Sequence, residues 1–200
     1  MNNPKVSKVA VLEQGNMAKV FSKQELLDAV SAFVELNNFL DNLKSRKPSA
    51  KCINSPKLPE RISESLAYHL ISEGAISQIN DLQWNKIRFN EKALKHVGSN
   101  SKPTDIILDL VNGTECLVEV KATQVGYTEI KKKDAEADFL IWIEFSDTFK
   151  QGLRKEVEIS TLKIPQDMRV KQYNWKPYHK QYPTAVVNTY PSFSEVLKLI

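Results

Sequence analysis

The chain has 200 residues, 42% of them hydrophobic, with 28 basic and 24 acidic side chains for a net charge of +4. That length closes one core of ordinary size and leaves little for a motor or a separate targeting module, so a single domain over 1–200 is expected. No secretory signal or membrane segment is visible, and two cysteines, Cys52 and Cys116, are too few for a disulfide framework, which points to a reducing cytoplasm.

Ser22-Lys23-Gln24-Glu25 has the spacing of a capping box. It opens an amphipathic helix whose Leu26, Leu27, Val30, Phe33, Val34, Phe39, Leu40 and Leu43 form a stripe to be covered by the core or by a second subunit. Residues 44–59 hold Pro48, Pro56 and Pro59 among Lys44, Arg46, Lys47, Lys51 and Lys57, and read as an extended basic loop. A second helix starts near Pro59, suited to a first helical position, and stops at Gly74. Ile87 to Phe89 adds a strand, and 98–103 forms a polar loop leading to Asp105.

From Asp105 to Ala122 apolar and polar residues alternate on both sides of Asn112-Gly113, a strong hairpin signal. Burial fixes the register. A turn through Val111, Asn112 and a left-handed Gly113 sets Asp105 opposite Glu119 and gives one wholly apolar face: Ile106, Leu108, Leu110, Cys116, Val118 and Val120. The other face carries Asp105, Ile107, Asp109, Glu115, Leu117, Glu119 and Lys121. A two-residue turn would shift the pairing by one and oppose apolar to charged residues along the ladder. Opposed carboxylates at residues 105 and 119 repel unless a cation lies between them, and Mg²⁺ is commonly held by one or two carboxylates together with phosphate oxygens. Lys121 projects from the same face. The competing reading is a solvated polar face with an incidental salt bridge.

Beyond the hairpin, Tyr127 to Asp138 has helical composition. Phe139-Leu140-Ile141-Trp142-Ile143 is a strand buried on both faces and too short to span a bilayer. Val157 to Ile164 is another strand, and Ser192-Phe193-Ser194-Glu195 caps a short last helix. This order predicts an α/β fold with a mixed central β-sheet flanked by helices.

Pro103-Thr104-Asp105 and Glu119-Val120-Lys121, separated by a hairpin, resemble the signature of the PD-(D/E)xK nuclease superfamily, with Thr104 standing between the proline and the aspartate. The resemblance covers about a tenth of the chain. It implies a restriction-endonuclease-like core and an Mg²⁺-dependent enzyme that hydrolyses double-stranded DNA to leave 5′-phosphate ends. Asp105 and Glu119 would ligate the metal, and Lys121 would position or activate water. Glu64 matches a glutamate that the family often places on a preceding helix, although a solvated helix glutamate reads equally well. Among such enzymes the chain looks most like a small type II restriction endonuclease acting as a homodimer on a palindrome. A structure-specific nuclease such as a junction resolvase or repair endonuclease is the same-class alternative, and a noncatalytic DNA-binding protein with this fold is the other.

Between Lys163 and Tyr182, five basic residues stand against Asp167 alone. Lys171, Tyr173, Asn174, Trp175, Lys176 and Lys180 interleave cations, aromatics and an amide, a pattern suited to phosphate and groove contact, or to a loop with its aromatics turned inward. Three regions are thus expected: helix and basic loop over 1–58, a catalytic core over 59–165 and a DNA-contact region over 166–200. His69, His96 and His179 lack zinc-ligand spacing with either cysteine, and His69 reads as a packing residue.

Overall fold

The computed structural model describes residues 20–53, 59–90, 104–123, 134–145, 156–165 and 184–200. Helix α1 (Lys23–Arg46) starts on the anticipated capping box: Ser22 Oγ accepts the Glu25 N–H at 3.2 Å and the Glu25 carboxylate accepts the Ser22 N–H at 2.7 Å. Leu26, Val30 and Phe33 enter the core, whereas Phe39 in the same stripe is 62% exposed. Lys44 and Arg46, expected in a loop, instead finish α1, where cations complement the partial negative charge of a helix C-terminus. Pro48–Cys52 then forms a 3₁₀ turn.

Helix α2 (Glu60–Ser72) follows Pro59, which caps it rather than occupying its first turn. Its exit needs Gly74, whose φ of +75° is one that a side chain disfavours. A short α3 (Ser77–Asn80) leads to β1 (Trp84–Phe89), longer at its start than the sequence suggested. Strands β2 (Ile106–Leu110), β3 (Glu115–Thr123), β4 (Phe139–Glu144), β5 (Val157–Lys163) and β6 (Ala185–Tyr190) complete one six-stranded sheet in chain order. Only β3 and β4 run parallel, so the sheet is mixed, flanked by helices, and the fold is α/β.

The β2–β3 hairpin has the register that burial required: Ile106 faces Val118, Ile107 faces Leu117, Leu108 faces Cys116 and Asp109 faces Glu115. Gly113 is left-handed at φ +83°. Ile106, Leu108, Cys116, Val118 and Val120 all join the main core, together with Leu66 and Leu70 of α2 and Phe193 of α4 (Phe193–Leu197). Each fully buried Leu, Ile or Phe there contributes about 1.5–3 kcal/mol. The reverse face is drier than its charges suggested. Leu117 packs with Leu140, Trp142, Leu162 and Ile164 in a second, smaller cluster.

Two expectations change at the margins. Residues 124–133 lie outside the described set, and the described end of the anticipated helix is one 3₁₀ turn, Asp134–Glu136, that stops short of Asp138. Asp138 is occupied otherwise: its N–H donates to the Leu117 carbonyl at 2.8 Å and its Oδ2 accepts the Leu117 N–H at 2.9 Å. The segment 166–200 also divides. Its last residues are structural, because β6 pairs with β5 and α4 fills the core.

Candidate active site

β3 runs past the start of β2. The last paired residues are Ile106 and Val118, so the β2-facing backbone of Val120 has no strand partner. Asp105 supplies one, its Oδ2 accepting the Val120 N–H at 2.8 Å while its own N–H donates to the Val118 carbonyl at 3.1 Å. Buried Thr104 tethers the approach, donating through Oγ1 to the carbonyls of Val118 at 2.8 Å and Ile106 at 3.2 Å. The Asn90 N–H bonds the Asp105 carbonyl at 3.0 Å from the end of β1. The aspartate is thus fixed by three strands before any ligand arrives.

The acid and lysine of β3 turn toward the same place. Glu119 is only 5% exposed, and its Oε1 accepts from the Lys121 ammonium. Burial, then the charge of Asp105, pushes the Glu119 carboxyl above the usual range. Asp105 is likewise raised, chiefly by burial, against the opposing Val120 hydrogen bond and Lys121 charge. Burial works to depress Lys121, but Glu119 and Asp134 hold its ammonium above the ordinary lysine range.

Glu64 belongs to this group. Burial and the nearby Asp105 carboxylate raise it to about 7, although Arg61 pairs with it at 3.1 Å. Arg61 itself lies over the Phe89 ring, 4.9 Å from its centroid. Two further acids complete the cluster. Asp134, almost wholly buried, lies 3.4 Å from the Lys121 Nζ, and the Glu60 charge reaches both Asp105 and Glu64. In the sequence Asp134 falls within the stretch from Tyr127 to Asp138 that has helical composition. Its only signal was an acid that follows three lysines and is placed four residues ahead of the clamp at Asp138.

A second like-charge pair in the hairpin gives a useful contrast. Asp109 faces Glu115 directly, and Arg88 bonds both carboxylates, Asp109 at 3.2 Å. One guanidinium settles two acids there. At the other end, among the described residues, Lys121 and Arg61 stand against Asp105, Glu119, Asp134, Glu64 and Glu60. Among these residues acid exceeds base, and no described residue donates a hydrogen bond to Asp105 Oδ1 or Glu119 Oε2. Those oxygen donors suit a hard divalent cation such as Mg²⁺, which completes its shell with waters. Among the described residues, no group of three or more His, Cys, Asp or Glu side chains is arranged to hold a metal ion.

Lys171, Tyr173, Asn174, Trp175, Lys176 and Lys180, with Pro103, His96 and His179, fall outside the described residues. His69 is half-buried, its Nε2 sharing a 2.6 Å hydrogen bond with the Phe21 carbonyl. Cys52 and Cys116 are both free thiols. Among the described residues, no helix is long and apolar enough to cross a membrane. No protein family matches the chain, and neither curated proteins nor solved structures returned a significant match.

Proposed function

We propose that the protein is an Mg²⁺-dependent endonuclease of the PD-(D/E)xK type, with a restriction-endonuclease-like core, that cleaves double-stranded DNA. One observation supports the reading: among the described residues, the largely buried cluster where β3 runs past β2 holds more carboxylate than cation, and none of them donates a hydrogen bond to Asp105 Oδ1 or Glu119 Oε2. Asp105 and Glu119 would hold the metal. When bound, it lowers the pKa of a water and offsets charge on the phosphate.

The protein's own groups supply the rest. Lys121, kept protonated by its acids, orients the attacking water or balances charge gathering on the phosphate. Glu64, raised to about 7, is suited to take the water's proton near neutral pH. The water oxygen attacks phosphorus, the bond to the 3′ oxygen breaks, that oxygen takes a proton from solvent to become a 3′ hydroxyl, and a 5′ phosphate remains. The basic and aromatic stretch from Lys171 to Lys180 is assigned to DNA contact through its cations and Trp175.

One such site cuts one strand, so cleavage of both strands of a palindrome calls for a two-fold dimer. A cytoplasmic type II restriction endonuclease is the specific form proposed. Digestion of an unmethylated plasmid of known sequence in Mg²⁺ tests it. Discrete fragments from plain duplex are expected, whereas cutting confined to branched or mismatched DNA would assign the same chemistry to a resolvase or repair enzyme.

A further inference from the structure

We propose that Asp134 is a positioning residue for Lys121: a buried carboxylate, carried by a different element, that keeps the ammonium in the site when Glu119 turns its oxygens to a cation. The catalytic consequence rests on the hydrolase reading above. The anchoring is a property of the folded chain and is measured without it.

Among the described residues Lys121 Nζ makes two ion pairs within 4 Å, with Glu119 on its own strand and with Asp134 at 3.4 Å in the turn before β4. A lysine ammonium is a point charge on a flexible four-carbon stem. With Glu119 as its only partner, a divalent cation on that carboxylate would repel the ammonium at close range and release it to water. Asp134 removes that outcome, because its own position is fixed. Its side chain is 2% exposed. The turn that carries it is pinned to the sheet where Asp138 exchanges two hydrogen bonds with Leu117 and accepts the Ile164 N–H at 2.8 Å. Ala137 is fully buried between these points. The clamp at Leu117 lies two residues before Glu119, so acid, lysine and second acid are held in one rigid frame. The hairpin's other acid pair has no such device: there Arg88 spans both carboxylates and nothing has to leave.

The test follows the Lys121 side-chain ammonium by ¹⁵N NMR in the full-length protein, reading its exchange with water. Glu119→Gln leaves Asp134 as the anchor, and the ammonium is expected to stay protected. Glu119→Gln combined with Asp134→Asn is expected to lose that protection, and Asp134→Asn alone to speed exchange several-fold while the backbone amide spectrum stays native. Protection retained in the double variant, or exchange unchanged in Asp134→Asn, would overturn the proposal. In the active enzyme, Asp134→Asn lowers kcat at least tenfold with little change in KM, Asp134→Glu restores part of it, and on a Lys121→Met background Asp134→Asn adds no further loss. Independent, multiplying losses in that cycle would also overturn it. Wild-type protein that cleaves no DNA overturns the hydrolase reading and leaves the NMR result to decide the anchor.

Discussion

Asp105 Oδ2 accepts the backbone N–H of Val120, tying the first acid to the peptide that lies between the second acid and the lysine. One carboxylate oxygen is thereby spent on architecture and the other is left for chemistry. Burial raises the Asp105 carboxyl, so its charged form is a cost at neutral pH without metal. Asp105→Asn, which keeps an acceptor for Val120, is expected to leave the metal-free protein as stable as wild type or more so at pH 8. Asp105→Ala strands a buried N–H and should lower stability by about 1–3 kcal/mol. Thermal unfolding in chelator distinguishes the two.

Glu64 sets a pH dependence. Its pKa rises from 4.5 to about 7 on folding, so its contribution to stability is fully present below 4.5 and is lost as pH climbs through 7. Metal-free protein should therefore be more stable at pH 5 than at pH 8. Glu64→Gln should flatten that profile by something on the order of 3 kcal/mol. Urea melts across this range measure both.

Thr104 stands where the family pattern would run proline directly into aspartate, and the structure gives it a task. Its hydroxyl bonds two carbonyls on adjacent strands. Thr104→Val keeps the shape and removes both bonds, with an expected cost of about 1–2 kcal/mol and a larger fractional loss of cleavage than of DNA binding. Thr104→Ser should keep most of each.

Gly113 tests the register from the far end of the hairpin. A Cβ there meets nothing within 4 Å, yet φ is +83°, so Gly113→Ala carries backbone strain alone. A loss of about 1 kcal/mol with unchanged cleavage is expected, by thermal melts and a plasmid assay.

The hairpin register, the capping box at Ser22 and the dry strand at Phe139 were legible because each follows from local pattern: an amphipathic alternation, a three-residue spacing and an unbroken apolar run. Glu64 became a site candidate through family resemblance alone, since on a helix surface it looks like any solvated acid. Asp134 and β6 were not legible. Asp134 sits in a run of mixed charge that can satisfy itself on paper, and only the long-range clamp from Asp138 to Leu117 draws it into the site. Ala185–Tyr190 is an edge strand with three of its six residues exposed, so it shows neither a buried run nor a clean alternation. The second apolar cluster was hidden for a related reason, because Leu117 interrupts a charged face and its partners lie on β4 and β5.

The central claim is that Asp105 and Glu119 share a divalent cation that drives strand cleavage. The most direct measurement incubates end-labelled duplex DNA with wild-type, Asp105→Asn and Glu119→Gln proteins in Mg²⁺ and in chelator. The account predicts 5′-phosphorylated products from wild type in Mg²⁺ alone and a loss of at least a thousandfold, about 4 kcal/mol of barrier, in either variant. Folded wild-type protein that leaves DNA intact in every divalent cation, or variants that cut as well as wild type, would contradict it.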